Sequence, residues 1–503
     1  MISTLGSVLR LGLLLLLALT FTGCESWESK EEEMAAFDDD LQSLKEFFQI
    51  PGISAMVVQH DKVLFEQHYG FANLEDEVKV GASTAFPIAS ITKLYSATLI
   101  MKLVEDGKLS LEDPVNQYIE ESGLSDSIKV KHLLSHTSQG EIGEQFFYSF
   151  RFGYLTPIIE TAAGMPFNEA MEAYIFKSAG LEKTFLLKDS TQLASKEIIM
   201  ASPYFLEEEP VPGFIDYGYS ASAGIVSTPA DIVRFNKALD DDLLISKESK
   251  QAMFTGLRND LPYAYGCFKQ KINGIEVVWV YGQYDCFSSL LIKVPEKDLT
   301  MVLLANNSHM SDPARLIMGD LTSSLFALSF LKIFVFNEMI TPGIHLPERA
   351  YAYEYNFDLH RRQILAEALA TSFMARFSPN QYETIGTIEN SSEFLRQTIQ
   401  RYPDYLSYGN INTLHTFSFL KDVAFYMEIA DDHEFDNELE TLGLKLLEKE
   451  PNNPYLHIYL GTFYDRAGDK EKARFHFQSI VDMENFSPFW YTREAESWLA
   501  EHP

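Results

Sequence analysis

Residues 86–115 read FPIASITKLYSATLIMKLVEDGKLSLEDPV, with Ser90 three positions before Lys93. On a helix, residues three apart share a face, so a lysine at this spacing can reach back to the serine hydroxyl. A hydroxyl becomes a useful nucleophile only when a base removes its proton. A lysine serves as that base only when neutral, which requires burial that lowers its pKa, by up to about 3–5 units when complete. The apolar FPIA before the pair and LYSATLIM after it fit a buried helix. Spacing alone does not assign the role, because Ser-x-x-Lys recurs at Ser329–Lys332 and Ser418–Lys421. Those copies lie in LSFLK and FSFLK on apolar helical runs with no supporting motif, and both read as structural.

Outward from this stretch, residues 41–340 mix strands and helices. GISAMVVQHDKVLFEQHYGFAN gives two strand-like runs, 53–59 and 62–69, around His60-Asp61, which is a hairpin pattern. SATLIMKLVEDG is amphipathic and stops at Gly107. STPADIVRFNKAL places Ser227 or Thr228 as an N-cap before Pro229. Later strands pair around Asn273-Gly274 and around Glu296-Lys297. LTSSLFALSFLKIFVF is expected to form one apolar helix of about 16 residues packed on that sheet, too short for a confident membrane span. Early strands, a helical middle and late antiparallel strands predict an α+β domain with one main sheet.

The ends differ in character. Arg10 precedes LGLLLLLALTFTGC, shaped like a secretory signal over residues 1–23. Its TFTGC ending resembles a bacterial lipobox, with Cys24 as the acylated residue, which implies a lipid-anchored envelope protein. Residues 24–40, polar and acidic, are expected to be a solvated tether. Residues 341–352 read as a linker and 353–503 as helical. In that region Leu460-Gly461, Tyr464, Gly468, Ala473, Phe477 and Ile480 fall at the spacing of a tetratricopeptide repeat. Such a domain suggests protein–protein contacts.

The chain has 503 residues, 46% of them hydrophobic, and a formal charge of −32. That length fits two to four domains, and the acidity disfavours nucleic acid as a partner, since no basic stripe can neutralise phosphates. The twelve histidines are scattered with no metal-ligand spacing, and no cofactor is expected. Cys267 and Cys286 lie in separate strand-like runs, which disfavours a disulfide between them.

Taken together, five ordered stretches resemble the class C-like, esterase-containing branch of the serine β-lactamase and penicillin-binding superfamily. They are the two segments opening at Pro51 and Phe86, then VKHLLSHTSQG, YSASAGIVSTPADIVRFNKAL and FSSLLIKVPEKDLTMVLLANN. The resemblance covers residues 50–310, a little over half the chain. It implies an antiparallel sheet flanked by helices, an all-helical lobe, and a reactive serine between them. Ser90 would be the nucleophile and Lys93 its base. Tyr148, in FFYSFRFGYL, matches the family's Tyr-x-Asn tyrosine, with Phe150 where asparagine is expected. In VYGQYDCFSS, Gly282 is present, but Val280 stands where the family has lysine or histidine. The backbone N–H groups of Ser90 and Gln283 would form the oxyanion hole. Phe150, Val280, Tyr281 and Gly282 would line the substrate. His136, in HTS, is assigned a structural role, and Lys269 is a candidate replacement for the missing cation.

These assignments predict a membrane-tethered serine hydrolase that forms an acyl-serine on an ester or amide, such as a small acyl ester, a D-amino-acid peptide or a β-lactam. Loss of one buried polar contact to a carboxylate costs about 1.5–3 kcal/mol, roughly ten- to hundredfold in binding. Small esters or apolar acyl groups are therefore favoured over penicillins. The alternative is a catalytically weakened binding lipoprotein that uses its helical repeats as a scaffold.

Overall fold

The computed structural model describes residues 29–119, 122–194, 198–337, 358–374, 377, 436–483 and 490–503. The signal-like segment with Cys24, the linker 341–352 and Ser418–Lys421 lie outside those residues. Among the described residues, twelve strands form three sheets. The main sheet contains β1 (Gly52–Gln59), β2 (Lys62–Asn73), β3 (Val78–Lys79), β9 (Phe268–Ile272), β10 (Ile275–Tyr284), β11 (Phe287–Val294) and β12 (Leu299–Ala305), in the order β3-β2-β1-β12-β11-β10-β9. The pairing of β1 with β12, Ile53 opposite Ala305, closes the early hairpin onto the late one. Two of the predicted turns carry left-handed residues: His60-Asp61 at φ 49° and 61°, and Asn273-Gly274 at 47° and 89°. Short-side-chain polar residues and glycine tolerate that region, and its twist suits a two-residue hairpin loop.

Period-2 alternation sends β10 side chains to two cores. Val278 and Val280 join the core that holds the Ser90 helix, whereas Val277, Trp279 and Tyr281 join the opposite one. Every residue of β11 and β12 is buried, as expected when both faces of a sheet are covered. A smaller sheet, β4 (Phe86–Pro87), β8 (Ile225–Ser227) and β5 (Phe185–Leu186), borders the serine helix, and β6 (Tyr204–Leu206) pairs with β7 (Pro210–Pro212). The helices used below are α1 (Lys30–Phe47), α2 (Thr92–Glu105), α3 (Leu155–Ala163), α4 (Pro229–Asp240), α5 (Leu325–Phe330) and α6 (Asp358–Met374), then α7 (Asp436–Lys449), α8 (Pro454–Arg466), α9 (Lys470–Val481) and α10 (Trp490–Glu501). Thr228 caps α4 as expected, accepting the Asp231 N–H. None of the described helices is long and apolar enough to cross a membrane.

The expected tether requires correction. From Lys30 onward it is α1, capped by Ser29 and with Glu31, Glu32 and Glu33 in its first turn, where negative charge favours the helix dipole. Phe37, Leu41 and Leu44 share one face and are buried in the second core. The acidic residues that suggest a solvated strand are the outer face of an amphipathic helix. The run 321–335 also differs from a single helix: a 3₁₀ turn (Leu321–Ser323), α5 and a wider π turn (Leu331–Val335) follow one another. It is buried on the sheet, as the core reading expected.

Helices α8 and α9 pack closely because a Cβ on Gly461 would lie 2.9 Å from the Phe477 ring. Leu460, Ala473, Phe477 and Ile480 fill that interface. Ile317 and Met318 of the sheet domain pack against this helical core, and Arg315 donates to the Tyr459 hydroxyl at 3.2 Å. Cys267 and Cys286 are both buried and unpaired.

Candidate active site

Ser90 is delivered by a bent backbone pinned from both sides. The Ile88 N–H donates to the Ile225 carbonyl of β8 at 2.9 Å, and the Ile88 carbonyl accepts from Ser289 Oγ of β11 at 2.8 Å. Between them Ala89 takes φ 44°, a region that side chains other than glycine rarely occupy. The chain then enters the 3₁₀ turn Ala89–Ile91 and continues as α2. Ser90 therefore lies in a first helical turn, where backbone N–H groups lack intrahelical acceptors.

Lys93 lies one turn further, 3% exposed. Its Nζ donates to Ser90 Oγ at 2.7 Å and to the Ser222 carbonyl at 3.1 Å. It sits over the rings of Tyr148 and Phe152, 4.9 and 5.6 Å from their centroids. Burial pushes the ammonium down to about 7, so a large fraction is neutral at physiological pH. A neutral amine bonded to a serine hydroxyl is the base that nucleophilic catalysis requires.

The Tyr148 ring lies 4.9 Å from Lys93 Nζ; burial raises the phenol well above its ordinary value, and the Ser90 hydroxyl acts in the opposite direction. A protonated phenol at this position can pass a proton to a departing group. His136 holds the tyrosine in place. Its ring stacks on Tyr148 at 4.2 Å, and its Nδ1 accepts the Ser149 N–H at 3.2 Å. Burial, then the nearby Lys93, lowers its pKa well below the usual histidine range. It is a neutral positioning residue.

The edge of β10 closes the site. A Cβ on Gly282 would lie 2.2 Å from the Ile88 carbonyl and 2.3 Å from Ser289 Oγ, so only glycine lets the strand approach the serine turn this closely. Gln283 follows with its side chain exposed. Val280 is buried on the serine side of the sheet, and Phe150 is 60% exposed at the start of the turn after Tyr148. Tyr281 departs from its expected substrate-lining role, because strand alternation sends its side chain into the opposite core, with its ring 6.0 Å from that of Tyr148. Lys269 does not stand in for the missing cation. Its Nζ donates to the Thr255 and Arg258 carbonyls.

Two contributors carry no assignment from sequence. Ser222 supplies the carbonyl that orients Lys93, and its own buried hydroxyl has no partner among the described residues. Ser289 clamps the turn before the nucleophile. Both lie in stretches, YSASAG and FSS, that mark the resemblance without revealing which atom is used.

Comparison with known proteins identifies the family. A family model described as Beta-lactamase matches residues 37–319, more than half of the 503-residue chain. The chain belongs to the Beta-lactamase family of serine hydrolases. Protein flp of Staphylococcus aureus is 25% identical over 325 residues, 56% of this chain and 63% of that protein. The chain thus spans less than two thirds of the length of this relative. The beta-lactamase of Providencia stuartii is 24% identical over 280 residues, 50% of this chain and 71% of the relative. Among solved structures, the octameric penicillin-binding protein homologue from Pyrococcus abyssi shares the fold, with TM-score 0.55 and 23% identity over 66% of this chain and 81% of that one.

Proposed function

We propose that the protein is a serine hydrolase acting on an ester or amide through an acyl-serine, with a substrate that lacks the carboxylate typical of penicillins. Lys93 takes the Ser90 proton as Oγ attacks the carbonyl carbon. The N–H groups of Ser90 and Gln283 hold the oxyanion, and Tyr148 returns a proton to the leaving group. Lys93 passes its proton to the tyrosinate and, neutral again, deprotonates the water that attacks the acyl group, returning that proton to Ser90 Oγ as the acyl–oxygen bond breaks. The observation that carries this reading is the 2.7 Å contact between Ser90 Oγ and a buried lysine whose pKa is pushed down to about 7. Apolar Val280 and exposed Phe150 stand where polar anchors would hold a carboxylate, which supports a small or apolar ester. Acylation of Cys24 would tether the enzyme to an envelope membrane, and the helical domain, with its tetratricopeptide-like spacing, would be the site of any protein contacts.

Intact-mass labelling with a fluorophosphonate tests the reading. A single adduct is expected, lost in Ser90→Ala and slowed about a thousandfold in Lys93→Ala. A folded protein that takes no adduct would favour the non-catalytic binding role, which the departures at Val280 and Phe150 would also explain.

A further inference from the structure

The helical domain does more than sit beside the hydrolase domain. Together they line a partly open cavity of about 300 Å³ next to Tyr148. Phe146, Leu261, Pro262 and Met318 give it an apolar wall on the hydrolase side, and Tyr455 at the start of α8 faces them from the other domain. Glu144 and Glu450 stand among its lining residues, one from each domain.

Tyr148 belongs to both places: its ring lies 4.9 Å from Lys93 Nζ and it lines this cavity. Tyr455 is held firmly. Asn453 caps α8 by accepting the Tyr455 N–H at 3.0 Å and donates to Glu450 at 2.6 Å. The Tyr455 ring lies 5.5 Å from that of Tyr491. Yet the buried Tyr455 hydroxyl has no hydrogen-bond partner among the described residues, an arrangement that native structures avoid without a reason.

We propose that this cavity is the leaving-group subsite and that Tyr455, contributed by the helical domain, determines its specificity. The inference rests on the hydrolase reading, in which Tyr148 protonates the leaving group, so that group must depart along the Tyr148 ring. The volume is roughly twice the 150 Å³ that holds one benzene, so a neutral bicyclic aromatic or branched aliphatic alcohol or amine fits. The Glu450 carboxylate disfavours an anionic leaving group, whereas Glu144 is already paired with Arg258.

The test uses the full chain and three acetates whose leaving groups differ in size and charge: phenyl, 2-naphthyl and 6-carboxy-2-naphthyl. With a common acyl group, kcat/KM reports acylation. The wild type is expected to prefer 2-naphthyl over phenyl, and 2-naphthyl over its carboxylate, each by about tenfold. Tyr455→Trp should bring the naphthyl-to-phenyl ratio close to one by filling the cavity. Met318→Trp fills it from the hydrolase side and should do the same, which guards against a folding defect confined to the helical domain. Fluorophosphonate labelling of each variant reads the Ser90–Lys93 pair separately. Unchanged ratios in both variants, with labelling intact, would overturn the subsite and leave the hydrolase standing. Absence of labelling in the wild type would remove both.

Discussion

Ser90–Lys93 and Ser329–Lys332 share spacing and burial, their lysines being 3% and 4% exposed. They differ in wiring. Lys93 donates to its own Ser90, whereas Lys332 donates to Gln363 of α6 at 2.7 Å and Ser329 donates to Asp40 of α1. The second pair ties three helices together, so its serine is engaged with a carboxylate and its lysine with an amide. In the first pair the lysine bonds its own serine and the Ser222 carbonyl beside two aromatic rings, and the desolvation that lowers its pKa makes the amine a base. A short motif thus acquires chemistry from its neighbours, which the four residues do not encode.

Removing each lysine separates the two roles most widely. Lys93→Met should slow fluorophosphonate labelling about a thousandfold, while Lys332→Met should leave the rate within about threefold and lower the melting temperature, since unpairing a buried polar group costs about 1–3 kcal/mol. Comparable rate losses in both would erase the distinction. Next in size, Gly282→Ala should cost about a hundredfold or more in acylation by forcing β10 away from the serine turn and its oxyanion donor. An unaltered rate would remove β10 from the site. Tyr148→Phe should reduce amide hydrolysis about a hundredfold but slow fluorophosphonate labelling far less, because fluoride leaves without a proton. Equal losses would make the tyrosine a packing residue.

The smallest effect is on stability. The Lys93 pKa in the fold, about 7, lies below the ordinary 10.5 of an unfolded chain. Between those values the unfolded state binds the additional proton, so this group makes stability rise with pH across the window. Below about pH 7 both states are protonated and the folded one carries a buried charge. Lys93→Met should therefore melt higher than the parent at pH 6, with the advantage shrinking toward pH 10. Thermal melts across that range check the slope.

Much of the fold was legible because its signals are local. His60-Asp61 and Asn273-Gly274 demand left-handed turns, and Thr228-Pro229 marks a helix start. The nucleophile, base and tyrosine could be proposed from ordered motifs, and the structure brings Ser90, Lys93 and Tyr148 together. What escaped was tertiary. Helix α1 looked like a tether because Phe37, Leu41 and Leu44 are sparse among acids, and only a receiving core gives them meaning. The sequence marks Tyr281 as a lining residue, and only the strand register sends it to the opposite face. Ser222 acts through a carbonyl, which any residue type supplies. The meeting of Tyr455 with the Tyr148 side of the site joins residues some 300 positions apart, and no periodicity in either segment announces it.

The central claim is that Lys93 is a neutral base held against Ser90. Its most direct test is the rate of fluorophosphonate labelling from pH 5 to 10, measured on the wild type and Lys93→Met. The account predicts a rate that climbs as the lysine loses its proton, with a midpoint near 7, then levels off, and a low profile without that midpoint in the variant. A wild-type rate that keeps rising in proportion to hydroxide through pH 10, or a variant with the same midpoint, would contradict it.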